Sequence, residues 1–222
     1  MGATGPPPPG GLTRLPRRRL AGLTLHRIFR QERGTPWRFV SLNPDRSAEE
    51  YGRFDLPAPE GTCYLARTPV AAALEVFQEH DGLLPDVELR RRLRAEVLAP
   101  SVAPDAADLS ARASRGVGVT AALWSGGNRP VSQQWAVALR RAGWLALHHG
   151  IAHDPSGRQR AVSLFDRSGE HPPYDDPDGW AYETHDLAGD ADLVAALATY
   201  GIEVVRSDPQ LPLIDLADSG LV

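Results

Sequence analysis

The sequence predicts a single α+β domain with a mixed β-sheet flanked by helices. Segments rich in β-branched and aromatic residues alternate irregularly with helical segments, and no internal repeat is present. The 222 residues suffice for one domain with a buried core, and 42% hydrophobic with 23% charged residues is typical of a globular protein. Fibrous, collagen-like and disulfide-framework proteins are thereby excluded.

The first predicted elements are two strands and a helix. Residues 23–30 and 62–66 are rich in β-forming side chains, and the second segment is bounded by glycine and proline. Thr68 is a suitable N-cap, Pro69 fits the first helical position, and apolar residues recur at helical spacing over 70–78. A helix therefore directly follows the second strand.

The second half of the domain predicts a helix and a hairpin. Residues 86–98 fit either a helix or a long strand, because arginines interrupt the apolar positions without a decisive period. Ser132 is the predicted cap of a helix that runs to about Arg141. Residues 145–149 and 161–165 are joined by a turn sequence and predict a hairpin or a bulged pair of strands. The last predicted elements are a strand, a helix and a strand at 180–184, 190–200 and 202–205.

Composition divides the chain into three segments. Residues 1–20 combine a polyproline run, glycines and an arginine cluster, and predict a flexible tail. Residues 21–206 form the predicted domain, and residues 207–222 form a C-terminal extension. No segment resembles a signal peptide or a membrane span, and the single cysteine, Cys63, fits a reducing compartment. We therefore expect a cytoplasmic protein with no membrane partner.

Charge and motif content exclude several function classes. All 24 basic residues are arginine, so no lysine is present to form a Schiff base or a phosphate loop, and 28 acidic residues give a net charge of −4 that predicts no nucleic-acid contact. The motifs of serine hydrolases, zinc proteases and dinucleotide-binding folds are absent. On a strand, the side chains of His149 and His153 would share one face and that of His148 would point to the other. Adjacent histidines on an edge strand are commonly solvated. We therefore predict no metal site and no resident cofactor.

A carboxylate in the first predicted helix is the most distinctive chemical feature. Glu75 lies among apolar residues, where an unpaired charge would cost several kcal/mol, so a partner is expected. Arg53 could supply the positive charge, and Tyr64 could supply a hydroxyl and an aromatic ring. Spacing alone leaves two interpretations open: a structural salt bridge beside a core tyrosine, and a catalytic site.

Several segments, in this order, resemble the RES domain, a family named for its Arg, Glu and Ser residues. The resemblance covers residues 23–167. Its segments are Leu25-His-Arg-Ile28, Gly52-Arg-Phe-Asp-Leu-Pro57, Gly61-Thr-Cys-Tyr-Leu-Ala66, Ala72-Ala-Leu-Glu75, Ser132-Gln-Gln-Trp-Ala136 and Ala161-Val-Ser-Leu-Phe165.

The resemblance implies a fold like that of ADP-ribosyltransferases and the function of a toxin in a bacterial toxin–antitoxin pair. RES toxins degrade NAD+ by phosphorolysis or hydrolysis of the nicotinamide–ribose bond, or transfer ADP-ribose. NAD+ is then the implied substrate, inorganic phosphate one implied acceptor, and an antitoxin with a helix-turn-helix domain the implied partner.

The resemblance also implies roles for individual residues. Glu75 would stabilise the positive charge that develops on the ribose. Arg27 and Arg53 would hold the pyrophosphate, because a guanidinium contacts it in two places. Tyr64 would pack on the nicotinamide or its ribose.

One departure from the family pattern keeps the function open. The family commonly has a tyrosine and a Ser-Arg pair before the last core strand, where this chain has residues 148–153. Ser132, Ser125 or His149 could substitute, or activity is altered or lost. If His149 substitutes, its ordinary pKa of about 6.5 predicts pH-dependent activity between about 5.5 and 7.5, whereas an exposed strand residue predicts none. The alternatives are an inactive nucleotide- or protein-binding module and a transferase that modifies a protein.

Overall fold

The computed structural model describes residues 10–77, 80, 82–171 and 179–206. The strands are β1 (Arg17–Arg18), β2 (Thr24–Arg30), β3 (Arg38–Phe39), β4 (Ser41–Leu42), β5 (Leu56–Pro57), β6 (Glu60–Ala66), β7 (Leu83–Pro85), β8 (Arg92–Leu98), β9 (Ala106–Asp108), β10 (Ala146–Gly150), β11 (Arg160–Arg167), β12 (Gly169–Glu170), β13 (Ala181–Asp186) and β14 (Glu203–Val205). The α-helices are α1 (Pro69–Val76), α2 (Asp86–Arg90), α3 (Ala122–Ser125), α4 (Arg129–Arg141) and α5 (Ala191–Thr199).

Eight of these strands form one mixed sheet in the order β1-β9-β10-β11-β6-β2-β8-β13. The pair β9–β10 is parallel, and the other neighbouring pairs are antiparallel. Three small two-stranded sheets, β3–β12, β7–β14 and β4–β5, lie beside it. The predicted α+β fold with a mixed sheet and flanking helices is confirmed.

Local signals explain where the helices begin. Thr68 caps α1 as predicted, since its hydroxyl accepts a hydrogen bond of 3.2 Å from the amide of Ala71. The prediction that Ser132 caps α4 is wrong. Asn128 is the N-cap, and α4 begins at the next residue, Arg129. Ser132 instead lies within the first turns of α4. The open segment 86–98 contains both alternatives, the helix α2 followed by the strand β8.

The sheet carries its hydrophobic core on both faces. On one face, residues such as Leu25, Cys63 and Val162 form a buried cluster. On the other face, α1 and α5 pack together through a second cluster that includes Leu74 and Leu197. A third cluster holds α4 against the strands beside it. The predicted hairpin at 145–165 is confirmed as the antiparallel pair β10–β11 at the centre of this arrangement.

The predicted flexible tail is wrong for the part of it that the structure describes. Leu12, Leu15 and Leu20 are buried, β1 pairs with β9, and the indole of Trp144 donates a hydrogen bond of 2.9 Å to the carbonyl of Leu12. These apolar anchors hold the segment against the core despite its proline and arginine content. The remainder of the predicted tail and the predicted C-terminal extension lie outside the described residues.

Candidate active site

A cleft opens where two central strands of the sheet diverge. β2 and β6 share the single residue pair His26–Ala66, although β6 pairs with β11 along its whole length. Towards the start of β6, its free edge is hydrogen-bonded to Val40 instead. The backbones of Val40 and Thr62 exchange hydrogen bonds of 2.8 and 2.9 Å. The gap between β2 and β6 forms a cavity of about 410 Å³, within the usual range for small-molecule sites.

The cleft combines an apolar wall with many charges. Its charged lining consists of the arginines Arg27, Arg33, Arg53 and Arg129 and the carboxylates Glu50 and Glu75. Its apolar lining includes Ile28, Leu65, Ala66, Ala72, Val76 and Trp124. Of the residues that the sequence predicted for the site, Tyr64 and His149 also line this cleft, and Ser132 does not.

Glu75 occupies the last turn of α1, immediately after four buried residues of that helix. A helix C-terminus disfavours a negative charge, so helix stability does not explain this carboxylate. Its carboxylate accepts a long hydrogen bond of 3.4 Å from the amide of Ala152. Burial raises the pKa of Glu75, and the positive charge of Arg53 opposes that shift. The carboxylate is therefore incompletely hydrogen-bonded and faces the cleft.

The predicted salt bridge between Arg53 and Glu75 is absent. Among the described residues, no arginine or histidine lies within ion-pair distance of Glu75. The guanidinium of Arg53 donates instead to the carbonyl of Gly126. Burial and the nearby charge of Arg129 lower the pKa of Arg53. The interpretation of these residues as a structural ion pair is therefore wrong.

Backbone carbonyls, rather than carboxylates, hold two other arginines of the cleft. Arg129 donates to the carbonyls of Glu49 and Tyr51 at 2.5 and 2.9 Å. Arg27 donates to the carbonyl of Arg38 at 3.1 and 3.2 Å, and also to the sulfur of Cys63. A carbonyl fixes a guanidinium in place but does not neutralise its charge. With four arginines and two carboxylates in its lining, the cleft therefore presents a net positive potential to an anionic ligand.

Tyr64 is tied to the loop that precedes β5. Its hydroxyl donates to the carboxylate of Asp55 at 2.8 Å and accepts a hydrogen bond of 2.9 Å from the amide of Phe54. Burial raises the pKa of Asp55 to about 6 and that of Tyr64 well above its ordinary value. A Cβ at Gly52 would lie only 2.3 Å from the Tyr64 hydroxyl, so only glycine fits there. The hydroxyl predicted to partner Glu75 serves Asp55 instead.

His149 is buried, which contradicts the prediction of a solvated strand residue. The strand β10 lies inside the sheet between β9 and β11, and it ends before His153. The His149 ring contacts the carbonyl of Gly150 at 2.8 Å and the hydroxyl of Ser163 at 2.9 Å. Since a carbonyl only accepts, Nδ1 carries the proton and Nε2 accepts from Ser163.

A substitution by His149 for the missing family residues would require the ring to titrate between about pH 5.5 and 7.5, and the structure does not support that condition. Burial lowers the pKa of His149 to about 4, so the ring is neutral throughout that range. A tilted contact with the Phe54 ring, with 4.6 Å between ring centroids and 53° between ring planes, restrains it further. His149 therefore forms a fixed, neutral part of the cleft wall and does not supply a proton.

Ser132 does not substitute for the missing family residues. Its hydroxyl donates a hydrogen bond of 2.7 Å to the carbonyl of Leu123 and is buried under α3. Sequence reasoning missed Arg33 and Trp124, which lie in short helical turns, and Arg129 at the start of α4; only the tertiary fold brings them to the cleft. It also passed over Asp55, although this residue stands within a quoted segment.

The described part of the chain contains neither a candidate metal cluster nor a helix that could span a membrane. No cluster of three or more His, Cys, Asp or Glu side chains there has the arrangement of a metal site. None of the helices in the same ranges combines the length and apolar character needed to span a bilayer.

Comparison with known proteins assigns the family. The sequence profile of the RES domain matches residues 24–184, which extends the predicted resemblance beyond residue 167. The chain belongs to the RES domain family. Among solved structures, this RES domain is similar to a chain of the M. tuberculosis MbcT–MbcA toxin–antitoxin complex, with a TM-score of 0.51 and 14% identity over 80% of this chain and 92% of that one. No curated protein matches the sequence.

Proposed function

We propose that this RES domain binds NAD+ in the cleft between β2 and β6 and breaks the nicotinamide–ribose bond. One observation carries the proposal: an incompletely hydrogen-bonded carboxylate, Glu75, shares a cavity with four arginines that have no carboxylate partner among the described residues. A dinucleotide with a pyrophosphate and a cationic ring complements both features.

The arginines would bind the pyrophosphate. A guanidinium offers a planar pair of donors that matches two phosphate oxygens, and charged hydrogen bonds of this kind are stronger than neutral ones. Arg53 and Arg129 lie on the side of the cleft near Glu75, while Arg27 reaches it from β2. The apolar wall beside Trp124 would receive the nicotinamide or its ribose by aromatic contact.

Glu75 would act on the reacting carbon. When the bond from the ribose C1′ to the nicotinamide nitrogen breaks, its electron pair leaves with the ring, which departs as neutral nicotinamide. Positive charge then develops on the ribose, and a nearby carboxylate stabilises that transition state electrostatically. The departing ring needs no proton. Tyr64 and His149, whose polar atoms are already hydrogen-bonded, are therefore not required as acids.

A toxin function with an antitoxin partner follows as the second part of the proposal. The similar solved structure is that of a toxin–antitoxin complex, and the fold covers most of both chains. An enzyme that consumes NAD+ would harm its own cell unless a partner protein blocked it. We expect such an antitoxin, with a helix-turn-helix domain, to prevent access of NAD+ to the cleft.

Product analysis tests the proposed reaction. The purified protein is incubated with NAD+, with and without inorganic phosphate, and nicotinamide is quantified by chromatography. Release of nicotinamide supports the proposal. Phosphate-dependent release with a phosphorylated ADP-ribose product identifies phosphorolysis, and free ADP-ribose identifies hydrolysis. Saturable NAD+ binding without any nicotinamide release would contradict the proposal and favour an inactive binding module.

A further inference from the structure

A second arginine-rich cleft lies on the opposite face of the sheet. It has a volume of about 330 Å³. Four arginines contribute to its lining together with a histidine, an aspartate and two hydroxyl residues: Arg18, Arg67, Arg158, Arg160, His148, Asp108, Ser110 and Thr68. None of these residues lines the cleft that holds Glu75.

Strand alternation explains why the two clefts lie back to back. His148 and His149 are successive residues of β10, so their side chains point to opposite faces. Arg160 is two residues from Val162, which belongs to the buried cluster of the second face, and Arg67 is likewise two residues from Leu65 of that cluster. The amide of Arg67 donates to the carbonyl of Arg160 at 2.9 Å, which holds the two arginines side by side.

The positive charges of this second cleft are not compensated. None of its four arginines has an ion pair with any residue in the described ranges. The Nη1 atom of Arg67 is buried and has no hydrogen-bond partner within the same part of the chain. A buried donor without a partner is unfavourable, so Arg67 is stabilised if its guanidinium turns to donate to a bound anion.

Asp108, the acidic residue of this second cleft, already has hydrogen-bond partners within the protein. Asp108 accepts from the hydroxyl of Ser110 at 2.6 Å and contacts Nδ1 of His148 at 3.0 Å. The same Nδ1 lies 3.3 Å from Ser110, so one nitrogen faces both groups and no proton relay to the hydroxyl is formed. Four guanidiniums and one satisfied carboxylate leave the cleft positive, with a geometry for binding rather than for nucleophilic catalysis.

We propose that this cleft is a separate binding site for a phosphate group. A volume of about 330 Å³ accommodates a phosphomonoester or a free tetrahedral anion, and guanidinium pairs match the oxygens of either. The source is free inorganic phosphate or the terminal phosphate of a nucleotide. Burial lowers the pKa of Arg67, and repulsion from the charge of Arg18 lowers it further, which supports the assignment. A bound anion relieves that repulsion.

Calorimetric titration of the full chain with inorganic phosphate tests the proposal. Arg158→Gln and Arg67→Gln should each weaken phosphate binding about tenfold or more, the loss expected for one charged hydrogen bond. Arg158 is exposed, so its variant remains informative if Arg67→Gln fails to fold. Arg19→Gln is the matched control, since it removes an exposed arginine that does not line the cleft. Arg53→Gln tests whether phosphate binds in the first cleft instead.

Each outcome decides the assignment. Phosphate binding that persists in Arg19→Gln and Arg53→Gln but weakens in Arg158→Gln supports it. No saturable binding, equal affinity in Arg158→Gln, or a loss confined to Arg53→Gln overturns it. Adenosine monophosphate as a competitor identifies the source, because displacement of phosphate indicates a nucleotide and no displacement indicates the free anion. NAD+ cleavage should be unchanged in Arg158→Gln, so failure here is distinguishable from failure of the proposed function.

Discussion

The two clefts of this RES domain are each lined by four arginines, yet Asp108 in one and Glu75 in the other differ in hydrogen bonding and in the direction of their pKa shifts. On one face, Asp108 is satisfied by Ser110 and His148, and these contacts lower its pKa to about 2 despite partial burial. On the other face, Glu75 accepts a long hydrogen bond of 3.4 Å, and burial raises its pKa. Arginines alone create an anion site, whereas an unsatisfied carboxylate beside them adds the capacity for chemistry.

The largest predicted effect is the loss of catalysis in Glu75→Gln. The amide keeps the shape of the side chain and removes its charge, so kcat for nicotinamide release should fall about 100- to 1000-fold while NAD+ affinity changes little. Steady-state kinetics and titration with NAD+ measure the two quantities. Glu50→Gln is the matched control, because Glu50 lines the same cleft and caps a turn at its rim. Equal kcat values for wild type and Glu75→Gln would remove the proposed role.

The carboxylate beneath Tyr64 should make stability depend on pH in an unusual direction. The folded protein raises the pKa of Asp55 from 3.8 to about 6, so it holds this proton more tightly than the unfolded chain does. The resulting contribution, up to about 3 kcal/mol, is fully present below pH 3.8 and is lost as the pH rises through 6.

Denaturant unfolding of wild type and Asp55→Asn at several pH values measures this contribution. Asparagine does not titrate, so the difference in unfolding free energy between the two proteins should change across that window. Asp45→Asn, which alters an exposed carboxylate, should show no comparable change. A difference for Asp55→Asn that is constant with pH would mean that this carboxyl group keeps its ordinary pKa in the fold.

A smaller effect is expected from Arg53→Lys. The lysine preserves the positive charge but loses the planar pair of donors and the contact with the carbonyl of Gly126. NAD+ affinity should fall about ten- to a hundredfold, which corresponds to one charged hydrogen bond. Calorimetry with ADP-ribose, which has the pyrophosphate and lacks nicotinamide, should show the same loss. Unchanged affinity would place the pyrophosphate away from Arg53.

The smallest predicted effect concerns Ser132→Ala. Because this hydroxyl bonds to the carbonyl of Leu123 outside the cleft, its removal should lower the unfolding free energy by about 1 kcal/mol and leave NAD+ cleavage at the wild-type rate. Thermal unfolding and nicotinamide release measure the two expectations. A large loss of kcat in a folded Ser132→Ala protein would show that the family serine role had moved to this position.

Local sequence signals predicted the elements that carry the site but not how those elements meet. Thr68 and Pro69 predicted α1, and with it the placement of Glu75 on that helix, because capping acts within one turn. The divergence of β2 from β6 depends on pairing with Val40, which is distant in sequence and has no local signature. Arg129 follows the cap of α4 and reaches the cleft only through tertiary packing.

The histidine pair shows the same limit at the level of single residues. Alternation along a strand correctly predicted that His148 and His149 point to opposite faces. Whether either face is exposed depends on the neighbouring strands, and β9 and β11 bury both residues. Desolvation then lowers the pKa of His149 to about 4, a shift that no property of the sequence alone would indicate.

Hydrogen exchange of Glu75→Gln with and without NAD+ tests most directly which face binds the substrate. This variant should hold the dinucleotide without consuming it, so the complex persists during measurement. NAD+ should slow exchange in the segments that line the first cleft, at residues 50–54, 64–66, 72–76 and 124–129. The second cleft, at residues 108–111 and 158–160, should be unaffected. Protection confined to the second cleft would contradict the account.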